Sequence, residues 1–214
     1  MNKYLEQFMQ FRCAGDVMNA VTPVNKMAKE ITEAMGIWRR LRKTALKEPL
    51  KYSLIDACAG NGLVGVLSVF TLPVKRCIAF DKSPRMRKQW LRGTIERWKY
   101  YMANLYDDTQ FESIVDELER DILLVAAHPC VGLAGALVER FNKYEQIRGL
   151  AILPCCAKSG TYNRFPRLLA DGKLNKYELW CLHLHNQCEV EDKGVYHDPH
   201  IISPANCVVW ARKG

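Results

Sequence analysis

The stretch Ser53-Leu54-Ile55-Asp56-Ala57-Cys58-Ala59-Gly60-Asn61-Gly62 limits what this chain can fold into more than any other. An apolar run of strand length carries one acid near its end and then breaks into a glycine turn. The residues that follow, Leu63 to Phe70, hold no charge and suit a buried helix. Strand, glycine turn and helix in that order open a nucleotide-binding βαβ unit. Glycine lets backbone approach a ligand where a Cβ would clash. The helix start adds unpaired N–H groups and a positive dipole end. Gly60, Gly62 and Gly65 spell G-x-G-x-x-G, and Asp81 closes a second strand about 20 residues on, which is the spacing of a dinucleotide site. Asp56 speaks against that reading, because a dinucleotide strand is normally apolar up to its first glycine. A turn with a structural role alone is the other plain reading.

The rest of the chain alternates in the way such a unit requires. Apolar strand candidates recur at Arg76–Asp81, weakly at Tyr100–Leu105, at Ile122–Ala127, Gly149–Leu153, Tyr177–His185 and Cys207–Arg212. Helices are expected between them: from Ser83 and Pro84 to about Lys99, from Phe111 to Glu119, from Gly132 to Lys143, and briefly over Phe165–Ala170. Gln187–Asn206 is polar, holds Gly194, Pro199 and Pro204, and reads as a loop. Asn2 to about Lys47 reads as helices, with Tyr4, Leu5, Phe8 and then Met27, Ile31, Met35 near helical spacing. The fold class expected is therefore α/β: a Rossmann-like, doubly wound, mostly parallel seven-stranded sheet. An N-terminal helical extension over residues 1–47 precedes the main domain at 48–214.

A length of 214 residues with 49% hydrophobic content suits one well-buried domain and a modest extension. No apolar run reaches about 18 residues and no basic-apolar-small start is visible, so neither a membrane span nor a signal peptide is expected. The nine cysteines are odd in number and mostly lie inside apolar runs. That pattern fits reduced thiols of a cytoplasmic or nuclear protein better than a disulfide framework. The net charge of +8 suits an anionic partner, nucleic acid first. Arg85, Arg87, Lys88, Arg92, Arg97 and Lys99 against Glu96 mark the expected second-strand helix as a phosphate-binding candidate. Arg39-Arg40-Leu41-Arg42-Lys43 is either a solvated helix face or part of the same surface.

Open α/β sheets bind ligands beyond the carboxyl ends of their strands. Here those ends carry Asp56 to Gly62, Asp81, His128-Pro129-Cys130 and Pro154-Cys155-Cys156. Cysteines in such places are more often small buried hydrophobes than nucleophiles. His183 and His185 alternate along the expected sixth strand and read as structural or rim residues.

Asp56-x-x-Ala59-Gly60-x-Gly62 resembles the D-x-x-A-G-x-G signature of class I S-adenosylmethionine-dependent methyltransferases. His128-x-Cys130-x-Gly132 with Pro154-Cys155-Cys156 resembles a subfamily carrying H-x-C-G and P-C-C after its fourth and fifth strands, similar to the tRNA enzymes that methylate ribose. Relatives place a Thr-Asp pair shortly after that glycine, where this chain has Leu133-Ala134-Gly135-Ala136. The resemblance implies a seven-stranded sheet whose last strand is inserted antiparallel beside the sixth, and S-adenosylmethionine as cofactor, held by Asp56, Ala57, Gly60, Asn61, Gly62, Asp81, Lys82, Asp107 and His128. For Asp107 a helix cap is the simpler reading. Three chemistries then compete after the fourth and fifth strands. His128 accepts a hydroxyl proton in oxygen methylation, or a Cys130 or Cys155 thiolate adds to a cytosine, or His128 and the cysteines bind a metal. Adjacent cysteines and the lack of C-x-x-C speak against the metal, and none is expected. The expected catalytic set is His128, Cys130 and Cys155, in an enzyme acting on tRNA or rRNA. A catalytically inactive nucleic-acid-binding scaffold and a small-molecule methyltransferase are the alternatives.

Overall fold

The computed structural model describes residues 2–21, 26–82, 95–130, 132–156 and 174–214. Seven strands form one sheet: β1 (Ser53–Ala57), β2 (Cys77–Asp81), β3 (Trp98–Met102), β4 (Ile122–Ala127), β5 (Ile147–Leu153), β6 (Lys193–His197) and β7 (Cys207–Arg212). Their order is β3-β2-β1-β4-β5-β7-β6. The first five pair in parallel, and β7 runs antiparallel between β5 and β6. The order reverses between β1 and β4, so the carboxyl ends of these two strands flank the crevice that such sheets use for ligands.

Alternation along β1 sorts its side chains between two cores. Leu54 faces the layer made by α1 (Lys3–Met9), α2 (Ala14–Ala20), α3 (Met27–Lys47) and α4 (Leu63–Thr71), where it packs with Phe8, Met35, Trp38 and Leu67. Ile55 and Ala57 face α5 (Asp108–Leu118), α6 (Gly132–Lys143) and α7 (Lys176–Gln187), among Phe80, Phe111, Leu137 and Trp180. The N-terminal helices therefore supply half of the apolar cover of the sheet. Helix α3 lies across it with its first turns at the carboxyl edge and its basic end at the amino edge. There Arg39, Arg40 and Lys43 line a cavity of about 360 Å³ with Leu123, Gly149 and Arg212.

Three sequence expectations require correction. Residues 177–185 are not a strand but lie within helix α7. Asn175 caps it by accepting from the Tyr177 and Glu178 amides, and Glu178 accepts from the Asn175 amide in return. The alternation of Leu182 and Leu184 with His183 and His185 mimics a strand, but the buried set is Leu179, Trp180, Cys181 and Leu184, one face of a helix. The sixth strand lies instead inside the expected loop, over Lys193–His197. Gly194 made that segment look like a turn, yet it pairs with Trp210, and a Cβ there would lie 2.9 Å from the Trp210 indole nitrogen. Finally, Trp98 and Lys99 open β3 rather than close a helix. Most of the basic helix expected after Ser83, and the short helix at 165–170, lie outside the described residues.

Candidate functional site

The glycine turn after β1 is built as its sequence requires. Cys58, Gly60 and Gly62 all take positive φ, at 53°, 53° and 73°, and Gly62 caps α4. A Cβ on Gly60 would meet nothing within 4 Å, so the outer side of the turn is open. Asn61 accepts from the Leu63 amide at 2.9 Å and reaches Glu30 of α3 at 3.4 Å. Ala57 is buried within β1.

Asp56 faces inward. It is 1% exposed, and its Oδ2 accepts from the Gly65 amide at 2.8 Å, in the first turn of α4. The carboxylate thus does the work of a helix cap from beneath the turn, at the positive end of the helix dipole. Burial nevertheless pushes its pKa up to about 7, opposed by the Gly65 amide and assisted by the charge of Asp81. Its Oδ1 is buried with no hydrogen-bond partner among the described residues.

Asp81 lies at the rim. Its Oδ2 accepts from the Gly60 amide at 3.1 Å, while the Tyr100 hydroxyl donates to the Gly60 carbonyl at 3.1 Å. Side chains of β2 and β3 therefore hold both backbone groups of Gly60 in the turn. Lys82 follows, exposed. Asp107 caps α5, accepting from the Gln110 amide at 3.0 Å and its side-chain nitrogen at 2.8 Å.

The fourth strand ends on His128, which takes φ of 58°. Left-handed backbone in a residue other than glycine is a strain that concentrates at functional sites. Its Nε2 lies 2.6 Å from Glu33 and 3.2 Å from Lys29, and Lys29 lies 2.7 Å from Glu33. Glu33 is 1% exposed. Burial raises its pKa, but hydrogen bonds from His128 and Lys29 outweigh that and hold it below the usual range. Glu33 calls for Nε2–H and the Lys29 ammonium for a bare Nε2; the shorter contact, 2.6 Å against 3.2 Å, favours Nε2–H donating to Glu33, which leaves Nδ1 as the proton-accepting nitrogen.

Beyond His128, the Cys130 Sγ lies 2.8 Å from the Cys155 Sγ, which lies 3.6 Å from the Cys156 Sγ and 3.8 Å from the His128 carbonyl. Burial and then the neighbouring thiols push the Cys155 thiol up, opposite to what a thiolate nucleophile needs. Cys58 is pushed up to about 12, chiefly by burial, and is near enough to feel Cys130.

The structure thus gathers Gly60 and Asp81 into one group and His128, Cys130 and Cys155 into another, and α3 ties the two through Glu30 and Glu33. Lys29, Glu33 and Tyr100 escaped the sequence reading. The signal for Glu33 was present: an acid between Ile31 and Met35 on a buried helical face, with Lys29 four residues earlier. Arg40 stacks 3.9 Å over the Tyr196 ring, and Arg212 pairs with Asp192 beside it.

A family model described as a methyltransferase domain matches residues 26–160, a span that includes α3 and every residue of the site up to Cys156. No curated protein matches the sequence. Among solved structures, the chain resembles a ribosomal protein L11 methylase from Lactobacillus delbrueckii subsp. bulgaricus at 13% identity, covering 89% of this chain and 81% of that one with a TM-score of 0.50. A cyclopropane-fatty-acyl-phospholipid synthase-like protein from Lactobacillus casei is similar at 16% identity, with 94% and 81% covered and a TM-score of 0.50. TrmK of M. capricolum, solved with S-adenosyl-homocysteine, is similar at 11% identity, with 81% and 67% covered and a TM-score of 0.42. The family match spans well over half of the sequence, and the chain belongs to the methyltransferase-domain family as an S-adenosylmethionine-dependent methyltransferase.

Proposed function

We propose that this methyltransferase acts on RNA and methylates a hydroxyl oxygen, with His128 as the proton acceptor. The observation that carries the reading is His128 itself. Its ring is held by a buried, ionised Glu33 at the same sheet edge as the open glycine turn. The residues suit the methyl donor: open space over Gly60, an acid at the rim in Asp81, and an orphaned oxygen on Asp56. Gly60 and Gly62 would admit the nucleoside, Asp81 would take ribose hydroxyls, and Asp56 would hold the turn in shape. S-adenosylmethionine supplies a methyl group on a sulfonium, already a good leaving group. The chain then has to position the acceptor and take one proton. With the cofactor bound, His128 Nδ1 would take the hydroxyl proton of the acceptor as the methyl group passes to its oxygen and S-adenosylhomocysteine is left. Cytosine methylation through Cys155 is disfavoured because burial and the neighbouring thiols favour its thiol form. The RNA part of the reading rests on the net charge of +8. The relatives with the higher TM-scores are named for protein and lipid chemistry, so fold likeness does not choose the acceptor.

The test is to incubate the full chain with methyl-labelled cofactor and total RNA, then digest to nucleosides. Label on the ribose oxygen is expected. His128→Ala should lower the rate by roughly 100-fold or more while S-adenosylhomocysteine affinity, read by calorimetry, stays within a few-fold. Label on a base, on protein or on lipid, or no transfer to any pool, overturns the proposal.

A further inference from the structure

We infer that Cys130, Cys155 and Cys156 form a binding site for one thiophilic divalent cation, with zinc as the natural occupant. The three Sγ atoms lie within 4.8 Å of one another, the sole such grouping of potential ligands among the described residues. Three thiolates about 2.3 Å from a common ion stand roughly 3.7–4 Å apart. The separation of 3.6 Å is close to that spacing and the third lies within 4.8 Å, while the 2.8 Å between Cys130 and Cys155 is shorter, so side-chain rotation has to part those two thiols to close the site.

Adjacent cysteines and the lack of C-x-x-C speak against a metal in the sequence, and the structure answers the first point by bringing a third thiol to the adjacent pair. Cys155 and Cys156 lie just past the end of β5, where the chain leaves the extended conformation at Pro154 and bends at Cys156, so the two thiols converge instead of alternating. The third ligand comes from the strand beside it, through the loop after β4. A disulfide between Cys130 and Cys155 would explain two of these residues and leave Cys156 without a purpose. A metal uses all three. Cys130 is exposed and the other two are half-buried, so the fourth position faces solvent at the sheet edge and would hold water or an atom of a bound molecule. Each thiol gives its proton to solvent as its sulfur–metal bond forms, so binding releases protons and strengthens with pH. The ion would pin the ends of β4 and β5 together directly behind His128, whose carbonyl the Cys155 thiol already approaches.

The full chain, purified with a reductant that does not bind metal, should carry one zinc per chain by elemental analysis. Titrating the apoprotein with Co²⁺ should give an intense thiolate-to-cobalt charge-transfer band. Cys130→Ser and Cys156→Ser should each weaken Co²⁺ binding at least about tenfold, the loss that even outer-shell changes around a metal produce. Cys13→Ser, at the remote turn between α1 and α2, should leave it unchanged, with far-ultraviolet circular dichroism confirming that every variant is folded. His128→Ala should keep the metal while losing methyl transfer, which separates this proposal from that of the acceptor chemistry. A reduced wild-type chain with neither zinc nor a charge-transfer band overturns the inference, as does equal loss in Cys13→Ser.

Discussion

At the scale of single residues, the two acids of the turn divide their labour. Asp56 braces α4 from within, and Asp81 stands where a ligand can reach it. Asp56 carries a pKa of about 7 in the folded chain against 3.8 as its ordinary value. The native state therefore keeps a proton that the unfolded chain has already released. Its contribution to stability is fullest below about pH 4, declines as pH rises, and has reached its full deficit above about pH 7. Asp56→Asn keeps an acceptor for the Gly65 amide but cannot ionise. Urea unfolding should show the variant gaining on the wild type between about pH 4 and 7, by up to about 4 kcal/mol. A stability difference that does not change with pH would contradict the assignment. Asp81→Ala should weaken S-adenosylhomocysteine binding roughly tenfold or more, the worth of hydrogen bonds to a charged group. Calorimetric titration of the variant checks this, and affinity equal to the parent would remove Asp81 from the site.

At the scale of elements, the approach of α4 to the sheet depends on Gly65. A Cβ there would lie 2.8 Å from Cys77 Sγ, 2.9 Å from the Trp98 indole nitrogen and 3.1 Å from Asp56 Oδ2. All three belong to buried side chains with little room to yield. Gly65→Ala should lower stability by about 1–3 kcal/mol and weaken cofactor binding, since α4 carries the turn. Gly15 is the contrast: it lies in α2 with nothing within 4 Å of an added Cβ. Gly15→Ala should raise stability by about 0.5–1 kcal/mol. Chemical denaturation of both variants decides whether the tight spot or glycine as such governs the outcome. The errors of the sequence reading also belong to this scale. Helix α7 reads as a strand because the run around Leu182 and Leu184 alternates, and β6 reads as a loop because Gly194 sits near its start. Gly194 makes room for the Trp210 ring of the strand beside it, a demand that no local pattern expresses.

At the scale of the whole molecule, the N-terminal helices are bound into the same core as the sheet. Tyr4, Phe8, Val17 and Val21 are all buried, Tyr4 donates to Asp198, and the Asn2 amide donates to the His200 carbonyl at 2.8 Å. Removing residues 1–26 would delete those four side chains and bare the apolar faces of α3 and α4 that they cover, a burial worth about 1.5–3 kcal/mol per side chain, against a total stability of about 5–15 kcal/mol for a typical domain. A chain of residues 27–214 should melt far below the full chain or fail to fold, as thermal circular dichroism would show. An unchanged melting temperature would mark α1 and α2 as dispensable.

The antiparallel last strand came with the family resemblance, and local chemistry in the sequence was enough to determine the glycine turn, the alternation of strand and helix and the acids at the ends of β1 and β2. Each follows from backbone freedom, hydrophobic period or the geometry of a strand's end, all of which act over a few residues. The partners of His128 were decided by tertiary structure alone. Glu33 and Lys29 lie about a hundred positions away along the chain, and α3 must cross the sheet before they meet the ring. The convergence of Cys130 with Cys155 and Cys156 has the same origin, since β4 and β5 become neighbours only when the sheet assembles.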